Sequence, residues 1–362
     1  MIKSSPVFAV FALLVTGCGS APKLEPVPPA SSPAPIASPA PTASAAPVAA
    51  KAAEPTAEEQ AKAKAKLDAA ALLERDRAKF EAEQVAEVAR WTPALRAEAK
   101  RVADARYATG QAAMRAVVAG KHRRPASPER DQDRHPVETF TFYGLEPGMT
   151  VLEFAPGEAW FTELLAPVLA KRGKLIATTT DPDGPKGERT TFYGQRFKAF
   201  LARSPEAYGK VEPLLIFPAA PKLGLAGSVD MVVMMRAMHG VVNAGKLDVW
   251  LAEMLAALKP GGILAIEQHR AAPDAKPEES AKKGYLPEKW VIERVEAAGF
   301  RLVARSELNA NPKDTKDYAE GVWTLPPSFR LGDRDRATYA AIGESDRMTL
   351  RFVKPAHPAP AK

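Results

Sequence analysis

The stretch Val151-Leu-Glu-Phe-Ala-Pro-Gly-Glu-Ala-Trp-Phe-Thr-Glu-Leu-Leu-Ala-Pro-Val168 constrains the fold more than any other. It reads as a buried strand, a tight Pro156-Gly157 turn and a helix. In α/β proteins a glycine turn between strand and helix lets the backbone approach a ligand closely. The strand here carries an acid, Glu153, just before that turn.

The same alternation continues toward the C-terminus. Strands are expected at 150–154, 174–179, 211–217, 228–235, 262–268, 300–307 and 347–353, with helices at 158–171, 190–203, 246–258 and 287–298. The helix at 246–258 stops at Pro260-Gly261-Gly262, and the one at 287–298 at Gly299. Apolar strands separated by helices predict a parallel sheet covered on both faces. The fold class expected is α/β, a doubly wound, mostly parallel, seven-stranded Rossmann-like sheet whose last two strands lack a clear crossover helix. It is preceded by a helical extension.

The first residues read as an export signal: Lys3, a short apolar run from Val7 to Val15, then Val15-Thr-Gly-Cys18. The apolar run is too short to span a bilayer. Val15 to Cys18 resembles a bacterial lipobox, which implies cleavage after residue 17 and a lipid on Cys18. Gly19, where an Asp often marks inner-membrane retention, favours the outer membrane of the cell envelope. Cys18 is the only cysteine, which excludes disulfides and thiolate metal sites. Residues 18–56 are rich in Pro, Ala and Ser and read as an extended tether. Residues 57–124 are rich in Ala, Glu, Lys and Arg and read as at least two helices, starting at Thr56-Ala-Glu-Glu59 and interrupted at Pro93. Residues 125–355 hold the sheet domain, and 356–362 form a tail. Lys121-His-Arg-Arg124 reads either as a solvated helix end or as a patch for anionic headgroups. The net charge of +7 is spread out with no aromatic-interleaved basic stripe, so nucleic acid is not an expected partner.

The turn at Pro156-Gly157, the run Leu258-Lys-Pro-Gly-Gly-Ile-Leu-Ala-Ile266 and the pair Gly299-Phe300 resemble, in order and spacing, the class I S-adenosylmethionine-dependent methyltransferases. Phe142-Tyr-Gly-Leu-Glu-Pro-Gly-Met-Thr150, Glu267-Gln-His-Arg270 and Gly343-Glu-Ser-Asp-Arg-Met-Thr349 narrow the likeness to a bacterial, often exported, family of predicted methyltransferases. The last block is distinctive, because the superfamily at large does not share it. The resemblance implies S-adenosylmethionine as cofactor and a methyl acceptor of unknown class.

It also implies a site at the carboxyl ends of the strands. Glu153, Pro156, Gly157 and Trp160 are expected at the cofactor, with Asp181 at the ribose hydroxyls, where a carboxylate suits a vicinal diol, and Asp183 in reserve. The end of the fourth strand, Arg236 to His239, faces the methyl group in the superfamily. His239 is therefore the first candidate base and His269 the second. Arg236 and Arg270 are candidate clamps for an anionic acceptor. No metal is expected, since no close histidine pair is evident in the sequence.

Three departures stand beside the resemblance. Glu158 and Ala159 occupy positions that are usually glycine, Ala159 with a Cβ that crowds a ligand, and Glu158 with a charge that either meets the cofactor's ammonium or caps the helix. No acid follows the third strand, where Phe217 offers a face for adenine or, more ordinarily for a phenylalanine, a core contact. Export also separates the chain from a cytoplasmic cofactor. The alternatives are a non-catalytic binding lipoprotein on the same fold, and an envelope interaction protein that works through residues 57–118.

Overall fold

The computed structural model describes residues 56–356, so the signal, Cys18 and the tether lie outside the described residues. From Thr56 onward the chain forms one compact unit. The extension is three helices, α1 (Ala57–Arg90), α2 (Pro93–Asp104) and α3 (Gly110–Val118). Thr56 starts α1 as a reciprocal cap. Its Oγ1 accepts from the Glu59 amide at 3.2 Å, and its own amide donates to the Glu59 carboxylate at 2.7 Å. Two short helices, α4 (Asp131–Arg134) and α5 (Pro136–Tyr143), lead into the sheet.

The strands are β1 (Thr150–Phe154), β2 (Lys174–Thr179), β3 (Val211–Leu215), β4 (Val229–Met235), β5 (Leu258–His269), β6 (Arg301–Ser306) and β7 (Arg347–Val353). They hydrogen-bond in the order β3-β2-β1-β4-β5-β7-β6. All neighbours are parallel except β7, which runs antiparallel to both β5 and β6. Between them lie α6 (Thr162–Leu169), α7 (Arg189–Ala202), α8 (Pro205–Tyr208), α9 (Met238–Asn243), α10 (Leu247–Ala257), α11 (Pro277–Ser280), α12 (Glu288–Ala297) and α13 (Arg336–Ile342).

Alternate residues of a strand point to opposite faces. Val151, Met231, Val233 and Ala265 therefore face one core, and Leu152, Phe154, Val232, Met234, Leu264 and Ile266 the other. The first core also contains Trp91, Ala99, Ala113, Met114 and Val117, so it runs without a break across residue 124 and builds the extension into the domain. β3 is an edge strand and tolerates Pro213, whose missing donor is harmless on an open edge.

Most boundaries fall within two residues of the sequence expectation, and two differ by four. The helix after β1 starts at Thr162 rather than 158, because Ala155, Gly157 and Ala159 all take positive φ and the intervening chain turns instead of coiling. β5 starts at Leu258, since the Lys-Pro-Gly-Gly run bulges at Gly261, φ 78°, yet stays bonded to the chain beyond β7: the Gly261 amide donates to Lys354 O and the Lys354 amide to Gly262 O, each at 2.9 Å. The basic run at 121–124 is neither a solvated helix end nor a surface patch. His122 and Arg123 are buried, Arg123 grips Asp131 with two bonds of 2.6 and 2.7 Å, and Arg124 donates to Glu163.

Candidate functional site

The chain winds outward through β1, β2 and β3 and then returns to β4 beside β1, so strand order reverses between β1 and β4. Ligands of open α/β sheets lie in the crevice outside the carboxyl ends of the strands at such a reversal. Here its walls are the segments 155–161 and 236–239.

The first wall is strained. Ala155, Gly157 and Ala159 have φ of 53°, 58° and 60°. A non-glycine residue in this region costs about 1–2 kcal/mol, and such outliers gather at functional sites. Ala155 is held by its amide, which donates to Thr178 Oγ1 on β2 at 2.8 Å. A Cβ placed on Gly157 meets nothing within 4 Å, so this part of the backbone is open to a ligand. Ala159 is buried in the first core, so its Cβ does not crowd the crevice. Trp160 also turns inward, its indole N–H donating to Ser127 O at 3.3 Å and its ring lying 4.6 Å from the Arg134 guanidinium carbon. Trp160 is thus a core contact and, contrary to the sequence expectation, offers no free face to a cofactor. Glu158 neither caps α6 nor stands free: it pairs with Arg196 at 2.9 Å. Removal from water opposes ionisation of Glu158, and Arg196, then Arg130 and Arg124, outweigh it, leaving the carboxyl below its usual range.

Glu153 is buried beneath the turn, where its carboxylate accepts from Thr162 Oγ1 at 2.7 Å. Burial pushes its carboxyl up to about 7, against the pull of the hydrogen bonds from Thr162. One strand over, Asp181 is exposed two residues past β2, and its Oδ1 accepts the Asp183 amide at 2.9 Å. Asp183 is also exposed, with Lys198 3.9 Å away. Beyond β3, Phe217 is 56% exposed, so it is not a core residue.

The second wall begins with Arg236, which follows β4 at a φ of 57°. Its guanidinium reaches Glu344 at 3.3 Å and Glu267 at 3.9 Å, and lies 5.4 Å from the Phe161 ring on the opposite wall. Burial lowers Arg236 to about 10, with the two carboxylates resisting. His239 on α9 and His269 at the end of β5 stand with ring centres 5.8 Å apart, so the fold makes a histidine pair that the sequence did not reveal. His239 Nδ1 faces the Gln268 amide at 3.4 Å, and its ring abuts Trp323 at 5.8 Å. Burial lowers His239 to about 4 despite the hydrogen bond to Gln268, and takes His269 well below its usual value, with the neighbouring His239 and Arg236 adding to the effect. Both are neutral at neutral pH. Among the described residues no three His, Cys, Asp or Glu side chains converge as a metal site.

Arg270 is corrected by the structure. It makes five hydrogen bonds, to Asp346, Glu288 and Glu307, which use all five guanidinium donors. It has none left for an acceptor and is a structural crosslink.

The block Gly343 to Thr349, conspicuous in the sequence without a role, acquires one. Glu344 bonds Arg236, Ser345 Oγ lies 2.5 Å from His269 Nδ1, and Asp346 bonds Arg270 at 3.0 Å. Three consecutive side chains thus meet three of the residues singled out from sequence. The antiparallel register that sets Arg347 opposite His269 brings them there. Glu344 also collects Arg130 and Arg134, and Arg347 spans Glu344 at 2.6 Å and Glu267 at 3.2 Å. Sequence reasoning missed Arg130, Arg134, Gln268, Ser345 and Trp323; the unexplained block pointed to Ser345 and, through Glu344, to Arg130 and Arg134, whereas Gln268 and Trp323 meet His239 instead.

No family model matches the chain, and no curated protein matches it. Solved structures do. A SAM-dependent methyltransferase from Aquifex aeolicus is 20% identical, covering 63% of this chain and 93% of its own, at a TM-score of 0.41. A SAM-dependent methyltransferase from Methanosarcina mazei is 14% identical, covering 60% and 97%, at 0.39. The cyclase SpnF is 17% identical, covering 62% and 81%, at 0.41.

Proposed function

We propose that this protein is an S-adenosylmethionine-dependent methyltransferase. One observation carries the reading: the neighbouring strands β3, β2 and β1 end in a row, and just past those ends come an exposed aromatic, Phe217, an exposed acid, Asp181, and an open glycine, Gly157. Strand spacing of about 4.8 Å makes that row about 10 Å long, a length that suits a base, a ribose and an amino-acid tail in succession. Phe217 offers a stacking face in place of the missing acid. Asp181 keeps Oδ2 for a ribose hydroxyl, and the turn at 155–158 receives the tail.

Bound there, S-adenosylmethionine supplies an electrophilic methyl group. The chain's own part is alignment, which dominates an in-line displacement. A proton moved onto His239 at pH 7 stands about 4 kcal/mol uphill, given its depressed value. We therefore assign His239 to accepting a hydrogen bond from the acceptor and orienting it, with His269 behind it. Arg236, already paired with Glu344, adds positive potential toward an anionic acceptor rather than a free clamp.

We further propose that the protein is anchored in the cell envelope through a lipid on Cys18, on the strength of the signal and lipobox resemblance. Replacing Cys18 by Ser should release it from the membrane fraction; retention of the variant there refutes the anchor.

Calorimetric titration with S-adenosylmethionine and S-adenosylhomocysteine tests the cofactor reading. The expected result is micromolar binding with a raised melting temperature. Silence at millimolar concentrations refutes it, and the non-catalytic binding module then takes its place.

A further inference from the structure

The loop between β2 and α7 carries Asp181, and its far side is fastened to α1. Arg77 donates from Nη1 to Gln195 Oε1 at 2.9 Å and from Nη2 to the Lys186 carbonyl at 2.7 Å. Gln195 in turn donates from Nε2 to the Pro182 carbonyl at 3.0 Å. Both ends of the loop therefore hang on one pair of side chains. The adjacent residue, Asp76, pairs with Arg189 at 2.7 Å. Phe80, one turn on, meets Phe192 edge-on at 5.8 Å, and Arg77 lies 5.0 Å from the same ring. Gly194 completes the arrangement: a Cβ there would stand 2.3 Å from the Thr180 carbonyl, so α7 is pressed directly against the start of the loop.

We propose that α1 is a clamp on the cofactor loop, and that Arg77, acting through Gln195, is a positioning residue for Asp181. This rests on the cofactor role of Asp181 proposed above. Plain packing would need only the apolar contact of Phe80 with Phe192. The paired bonds instead fix the backbone inside the Asx turn that presents Asp181, at Pro182, and just beyond it, at Lys186. Arg77 and Gln195 are half-buried and lie outside the core clusters, so their substitution is expected to cost global stability little beside a core change. A residue that shapes the loop is thereby separable from one that holds the fold.

The test uses the full chain with Arg77→Ala, Gln195→Ala, the double variant and Arg77→Lys. Hydrogen exchange of the amides at 183–188, cofactor affinity by calorimetry and melting temperature are read for each. Arg77→Ala is expected to speed loop exchange at least tenfold and weaken cofactor binding about tenfold, with melting temperature nearly unchanged. Gln195→Ala should do the same to a smaller degree, since Arg77 keeps its own bond to Lys186, and the double variant should fall short of the sum of the two, because the route to Pro182 runs through both. Arg77→Lys, a cation with a single-point donor, should recover part of the effect. Unchanged exchange and affinity in Arg77→Ala overturn the clamp, as do additive effects in the double variant. A large fall in melting temperature alongside the loss of affinity also overturns it, since that is ordinary structural support. If the unaltered protein binds no cofactor, the reading of Asp181 fails and the clamp's purpose with it. If it binds and Arg77→Ala binds equally, only the clamp fails.

Discussion

Replacing Glu153 by Gln should make the protein more stable in a way that depends on pH. The carboxyl of Glu153 is buried and raised from the ordinary 4.5 to about 7. Below pH 4.5 it is protonated in folded and unfolded chains alike and contributes nothing to the pH dependence. Between 4.5 and 7 the unfolded chain has lost the proton and the folded chain still holds it, so stability falls as pH rises. Above 7 the full penalty is present. At about 1.4 kcal/mol per pH unit, the interval amounts to about 3 kcal/mol. Glutamine stays neutral throughout and keeps a carbonyl oxygen to accept from Thr162 Oγ1, the 2.7 Å bond that Glu153 makes now. Urea unfolding of both proteins at intervals from pH 4.5 to 8 measures the difference, in which the other titrating groups cancel. The variant should match the parent at the acid end and exceed it by about 3 kcal/mol at pH 8. A difference that is flat across this range would show that Glu153 is ionised in the fold, and the argument from burial would be wrong.

Gly157→Asp fits the open space but brings an anion and a left-handed aspartate to the turn. It should lower cofactor affinity at least a hundredfold by calorimetry, and unchanged affinity removes the site from this turn. Phe217→Ala should leave thermal stability within about 0.5 kcal/mol yet weaken cofactor binding about tenfold, as loss of a base-stacking face does; equal affinity would dismiss Phe217 from the site. Glu344→Gln leaves Arg134 and Arg347 buried without their shared carboxylate, for which a loss of about 3–5 kcal/mol in urea unfolding is expected. Arg270→Ala should destabilise by about 2 kcal/mol, the release of a partly exposed set of ion pairs, while leaving cofactor binding as it was; a selective loss of binding would restore a direct role to Arg270.

Much of the sheet was legible because its strands are short apolar runs bounded by Gly and Pro, and Val229 to Met235 allows little else. The register of β7 was not, since a strand inserted between two others leaves no mark on its own pattern. That insertion joins Glu344 to Arg236 and Ser345 to His269, so part of the site's support lay beyond sequence reasoning. The alternating left-handed residues at 155, 157 and 159 were likewise hidden, because alanine at two of them gives no hint of positive φ. Arg270 misled for the opposite reason. A lone arginine at a strand end looks free until the acids at 288, 307 and 346, far apart in the chain, are seen to surround it.

The place of β7 has a consequence for how the molecule is made. It follows β5 and β6 in the chain, the last of the described strands, yet it lies inside the sheet, between β5 and β6. Until it arrives, β5 and β6 each present a bare rail of amides and carbonyls, a template for pairing with a stranger. The same late segment delivers Glu344 to Arg130 and Arg134, more than two hundred positions earlier in the chain. The keystone is thus laid after the strands it joins, and a chain stopped short of β7 is expected to be not a smaller version of this protein but an adhesive one.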